Sequence, residues 1–149
     1  MKVAVAFLIS SMLQVMPVTS DSALKTYEDY RAITDSTSMS YHLIQEAKHC
    51  EDGTLEIEGH KLVAMGQNYG RTGDRFVITF EDGNVLCVMM GDEKRCQDTQ
   101  DGYCGIYGDV LEGIVDTDIL SEYTKRMGDL NTLSEWSGKI IKIQKEVQR

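Results

Sequence analysis

Positive charge is scarce in this chain: 15 Lys and Arg stand against 24 Asp and Glu, for a formal charge of -9 over 149 residues. Such a surface repels phosphate backbones and anionic lipid heads, which excludes nucleic acid and membrane surfaces as partners and leaves neutral or cationic ligands. Paired cysteines are missing too. Four cysteines contain no C-x-x-C, and His42, His49 and His60 share no ligand-like register with them, so no residue is assigned to a metal. Gly66, Gly70 and Gly73 lack G-x-G-x-x-G spacing and no helical pattern follows, which excludes a nucleotide loop; no cofactor is implied. An EF-hand centred on Gly102 would need glutamate where Gly108 stands, and it fails on ligand chemistry. A looser calcium site at Asp98 and Asp101 is the alternative to a plain solvated loop.

The opening segment carries Lys2, an apolar stretch from Val3 to Met12, then Pro17 and the small residues Val18 and Ser20 before Asp21. That order predicts a secretory signal peptide over 1–20. Ser10, Ser11 and Gln14 interrupt the segment, so it falls short of the roughly 18–20 apolar residues a span needs, and no stable membrane span is expected after processing. A retained anchor or a buried helix is the competing expectation. The segment holds one Lys and no acid, so its removal takes the charge to -10. The protein is therefore expected to be secreted or held in the cell envelope. In an oxidising compartment four cysteines suggest two disulfides, with three connectivities. Cys96 and Cys104 flank a Gly-rich loop and are the easiest to close, which leaves Cys50 with Cys87. Cys87 packed as a free thiol is the alternative.

The most informative stretch is Arg75 to Asp92. Phe76, Ile78 and Phe80 alternate with polar or smaller residues, Asp82-Gly83 marks a turn, and an apolar run covers Val85 to Met90: a β-hairpin whose second strand is expected to end at Gly91-Asp92. Before it, 21–50 is free of Gly and Pro, and the spacing of Tyr27, Tyr30 and Ile33, then Met39, Leu43, Ile44 and Ala47, predicts two helical pieces separated near Thr34 to Ser40. The second, about Ser40 to Lys48, is expected to lie against the sheet and cover an edge. Strands are expected at Thr54 to Ile57, His60 to Met65, Asp109 to Val115 and Lys139 to Ile143. Gly66 to Gly73 forms an irregular crossover, Glu93 to Gly108 a functional loop, and Thr117-Asp118 opens a helix that Gly128 stops.

Strand, Gly-rich crossover, hairpin ending in Gly-Asp, loop, strand ending in Val-Asp-Thr, short helix, Gly, strand: this order over Lys61 to Ile143 resembles the double-psi β-barrels of rare lipoprotein A, the expansins and the three-aspartate domain of the lytic transglycosylase MltA. Val63-Ala64-Met65-Gly66 through Gly73 is similar to the family's entry strand and crossover, and Val85 to Asp92 to its strand ending in Asp. Ile114-Val115-Asp116-Thr117 is similar to the segment opening the family's helix. The chain also resembles small exported proteins of Gram-positive bacteria and their phages that carry Gly-Asp-x-Lys and Ile-Val-Asp, here Gly91-Asp92-Glu93-Lys94 and Ile114-Val115-Asp116. The implied fold is mainly β with short helices: a six-stranded double-psi β-barrel over 51–149, preceded by a helical extension over 21–50.

By that resemblance Asp92 is the acid/base that protonates a glycosidic oxygen in cell-wall glycan, and Asp116 its partner, raising the pKa of Asp92 by like-charge repulsion or ordering the groove. The His and Glu near the crossover of rare lipoprotein A have no counterpart here, and Asp92-Glu93-Lys94-Arg95 replaces its Asp-Arg-Gly-Pro turn. An Asp in such places also caps turns and helix starts. Lys94 is placed to bind substrate or to pair with Asp92. Tyr69, Tyr103 and Tyr107 are candidates to stack on sugar rings, and Trp136 is either core or platform. The expected activity is lytic transglycosylase cleavage of peptidoglycan. A non-catalytic module that binds glycan or a protein partner is the competing class.

Overall fold

A computed structural model describes residues 12–20 and 23–147. The apolar stretch through Ser11 and the junction at Asp21-Ser22 lie outside the described residues. Nine strands form one mixed sheet: β1 (Leu13–Met16), β2 (Thr26–Asp29), β3 (Lys48–His49), β4 (Leu55–Ile57), β5 (His60–Gly66), β6 (Arg75–Phe80), β7 (Val85–Lys94), β8 (Glu112–Val115) and β9 (Ile140–Glu146). Among the described residues two short helices accompany it, α1 (Met39–Glu46) and α2 (Glu122–Met127). The fold is mainly β with short helices, and none of the described helices is long and apolar enough to cross a membrane.

The strand order β1-β9-β6-β7-β5-β4-β3 carries a branch in which β8 pairs with β5 and β2 pairs with β8. β6 and β7 form the expected hairpin, with Phe76, Ile78 and Phe80 fully buried and their neighbours half-exposed. β4 and β5 are joined at Glu58-Gly59, both at positive φ, which matches the twist of an antiparallel pair. Two parallel pairs, β5 with β7 and β2 with β8, are tied together where β5 and β8 run antiparallel.

β5 is buried along nearly its whole length because both faces are covered, as a central strand with parallel pairing requires. Val63 and Met65 belong to the main core with Phe76, Phe80, Met90, Leu111 and Trp136. Leu62 belongs to a second cluster with Leu55, Met89, Ile114 and Ile44 of α1. The second helical piece therefore exists and lies against the sheet, starting from a Ser38 cap. It covers a sheet face where an edge was expected.

Four sequence expectations change. The first helical piece is instead strand β2 and a single 3-10 turn, Tyr30–Ala32, because parallel pairing with β8 supplies backbone partners that an isolated Tyr27/Tyr30/Ile33 helix would lack. β7 does not end at Gly91-Asp92; it continues to Lys94 because β5 keeps pairing with it, Ala64 against Asp92 and Gly66 against Lys94. β9 runs to Glu146 between β6 and β1, so β1 is the outer strand on that side. All four cysteines are free thiols: Cys96 is exposed on a 3-10 turn and Cys104 is buried in the main core, so this loop is not closed by a bridge. Nor is Cys50 bonded to Cys87; its sulfur lies 3.6 Å from Lys61 Nζ.

One buried cation anchors the loop before β9. Lys25 has no exposed surface, and its ammonium donates to the carbonyls of Ala23 and Gly138 and to Asn131 Oδ1 at 2.6–3.0 Å. Burial lowers its pKa to about 8, with the charges of Asp129 and Glu81 opposing. Trp136, in the same loop, is fully buried, which makes it core and not a platform.

Candidate functional site

A β-bulge decides where Asp92 points. Val63 lies opposite Met90 but Ala64 lies opposite Asp92, so Gly91 is the extra residue of β7. Because side chains alternate along a strand, one inserted residue turns every later side chain to the other face, and bulges re-aim side chains in this way. Glycine is needed there: a Cβ on Gly91 would sit 2.8 Å from Ile114 Cδ1 and 3.4 Å from Leu62 Cδ2.

After the bulge, Asp92 and Lys94 share a face with Ala64 of β5 and with Glu112 of β8, which is also opposite Ala64. Thr26 and Glu28 of β2 stand opposite Glu112 and Ile114, which extends the same polar face by one strand. Ala64 is small, so the long side chains on either side of it meet across it. The result is a compact charged cluster in the middle of a sheet.

Lys94 is its centre. Its ammonium lies 2.6 Å from Asp109 Oδ2 and 3.1 Å from Glu112 Oε2, and Thr26 Oγ1 donates to the same Asp109 oxygen at 2.9 Å. Burial works to lower the Lys94 pKa, but the Asp109 hydrogen bond and the charges of Glu112 and Asp109 outweigh it and hold it above the ordinary lysine value. Gly105 lets the loop close over this network: its N–H donates to the Asp109 carbonyl, and a Cβ there would lie 2.4 Å from Asp109 Oδ1.

Above the network is a groove of about 320 Å³, with Lys94, Asp109 and Glu112 in its floor and Ile106 and Tyr107 in its wall. Tyr107 is 74% exposed at the edge of this groove. The groove lining stops at Thr26 and Lys94, and one alternation further along those strands are Glu28 and Asp92. The strand register places these two carboxyls on one face as neighbours. Burial, then the charge and hydrogen bond of Asp92, then the charge of Glu112, raise the Glu28 pKa to about 8 against the opposing charge of Lys94. Asp92 also accepts the Glu93 N–H through Oδ1 at 3.0 Å. A buried glutamate whose carboxyl is pushed toward the protonated form beside a second carboxyl is equipped for proton transfer.

Lys94 and Tyr107 thus line one groove, with Asp92 one alternation from Lys94 and outside its lining. Asp116 has other company: Oδ2 is 2.7 Å from His49 Nδ1, with Tyr30 edge-on to the imidazole at 4.8 Å, and Oδ1 accepts the Asp118 N–H. Tyr69 is fully buried, its hydroxyl donating to the Pro17 carbonyl at 2.7 Å, so it has no face to offer a ligand. Tyr103 packs edge-on against Tyr69 at 4.9 Å. Asp101 caps its own turn by accepting the Tyr103 and Cys104 N–H groups, and among the described residues no three His, Cys, Asp or Glu side chains are grouped to hold a metal.

Glu28, Asp109 and Glu112 escaped sequence reasoning. Glu112 had a signal, an acid inside the apolar strand Val110 to Val115, and Glu28 had the alternation of a Thr-Tyr-Glu-Asp strand overlaid by helical spacing. No protein-family model, curated protein or solved structure matches the chain.

Proposed function

We propose that the chain is an exported cell-envelope protein of the double-psi β-barrel type that takes cell-wall glycan in the groove at Lys94 and Tyr107 and cleaves it with Asp92 as acid and then base. The barrel type is supported by the two parallel strand pairs joined through β5 and β8, and by the Gly-rich crossover leading from β5 to the β6–β7 hairpin. The observation that carries the function is Asp92, turned by the Gly91 bulge onto the face that holds Glu28 and the groove-lining Lys94 and Glu112.

In lytic transglycosylase chemistry the Asp92 carboxyl gives its proton to the glycosidic oxygen as the bond from the anomeric carbon to that oxygen breaks. The Asp92 carboxylate then takes a proton from one of the sugar's own hydroxyls, whose oxygen bonds to the anomeric carbon. The acid is restored, no water is consumed, and the product ends in an anhydro ring. Lys94, held by Asp109 and Glu112, positions the trough, and Tyr107 offers a flat apolar face for a sugar ring. Asp116 keeps its own partner, His49, and the chemistry needs only the carboxyls at Asp92.

A non-catalytic module for glycan or a protein partner is the second reading, favoured by Asp92 Oδ1 already being engaged by the Glu93 N–H. Mass spectrometry of peptidoglycan incubated with residues Asp21 to Arg149 separates the two. The catalytic proposal expects anhydro-ended muropeptides from the parent and none from Asp92→Asn; no product from a folded parent overturns it and leaves the module.

A further inference from the structure

We infer that Glu28 is the positioning partner of Asp92: the two carboxyls form one acid–base dyad in which Glu28 stores the proton that Asp92 delivers into the groove. The proton's use rests on the catalytic reading above, whereas the dyad is testable without substrate.

Three observations converge. Glu28 is placed by topology: β2 pairs in parallel with β8 and β8 with β5, which lays Glu28 on the face where the Gly91 bulge turns Asp92. Glu28 Oε1 is buried and has no hydrogen-bond partner among the described residues. An ionised carboxylate with such an oxygen would be left uncompensated, which is costly, so burial favours the protonated form of Glu28, whose O–H is then available to the neighbouring Asp92. Finally, the nearby cation is already committed, since Lys94 Nζ is held by Asp109 and Glu112.

The groups facing Glu28 are Asp92 and Lys94 of β7 and Glu112 of β8, with Thr26 on its own strand turned to Asp109. Two of the three charged neighbours are acids, so like-charge repulsion reinforces burial in keeping the pair singly protonated. The one proton passes from Glu28 to Asp92 as Asp92 gives it to the glycosidic oxygen, which leaves both carboxyls ionised while the glycosidic bond breaks. Asp92 then takes the proton of the attacking sugar hydroxyl and it passes back to Glu28, so charge is conserved over the cycle. Glu28 need not reach the substrate.

The test is a carboxyl ¹³C titration of the folded protein with labelled Asp and Glu, with Glu28→Gln and Asp92→Asn used for assignment. One glutamate carboxyl titrating near pH 8, with a matching inflection at Asp92 that disappears in Glu28→Gln, is expected. An ordinary glutamate titration at Glu28, or an Asp92 curve unchanged by Glu28→Gln, overturns the dyad. On peptidoglycan, Glu28→Gln is expected to lose roughly 10²-fold in rate at neutral pH and to lose the parent's decline above about pH 8. A coupled titration in a parent that cleaves nothing leaves the dyad standing and overturns its catalytic use.

Discussion

Lys94 is worth more to the fold than a surface ion pair because Asp109 is almost fully enclosed beside it. Removing the cation from a buried pair leaves an uncompensated charge, so Lys94→Ala is expected to cost about 3–5 kcal/mol in denaturant unfolding. Glu28 has the opposite economy. Its pKa rises on folding from 4.5 to about 8, so the folded state binds more protons across that interval and the stability it contributes is lost as pH rises through it. Thermal unfolding followed from pH 5 to 9 is expected to show a smaller alkaline decline in Glu28→Gln than in the parent. At this scale Asp92, Lys94 and Tyr107 stand out in the sequence as candidates, because Gly-Asp at the end of an apolar run and a tyrosine in a Gly-rich loop are local signals. Glu28 was hidden because Tyr27, Tyr30 and Ile33 fit a helical period, and only the distant β8 makes the segment a strand.

Among the elements, the β6–β7 hairpin was readable from alternation and the Asp82-Gly83 turn, since both act over a few residues. The bulge was not, because nothing in Met-Gly-Asp tells which strand lies alongside. Gly91→Val would press a branched side chain on Ile114 and Leu62, and overpacking of this kind costs about 1–3 kcal/mol. Relief by pairing Ala64 with residue 91 would turn Asp92 off the groove face; the expected sign is loss of the coupled Glu28 titration in a variant that still folds. β1 is a second point of leverage. Cleavage after Ser20, as the signal-peptide proposal has it, would remove the strand that pairs with β9 and the carbonyl that receives the Tyr69 hydroxyl. Residues 21–149 are then expected to show faster amide hydrogen exchange along Ile140–Glu146 than the full chain, with β6 still protecting the other side of that strand.

For the whole molecule, composition and patterning conveyed a mainly β domain with short helices, and the structure has that character. The path of the sheet was beyond reach, since both parallel pairs join segments far apart in the chain: Thr26 with Glu112, and Lys61 with Val88. Those pairings gather Glu28, Asp92, Lys94 and Glu112 from three strands onto one face, so the site is a product of topology more than of any motif. The acidic surface, at -9 overall, disfavours a polyanionic partner.

The most direct measurement is chemical-shift mapping of soluble peptidoglycan fragments on the ¹⁵N-labelled protein, with Tyr107→Ala as the control. Shifts concentrated at Thr26, Lys94, Gly105 to Tyr107 and Glu112, and reduced roughly tenfold in affinity by Tyr107→Ala, are what a glycan groove predicts. Saturable shifts confined to Asp116 and His49 or to another face, or none at millimolar fragment, would contradict it.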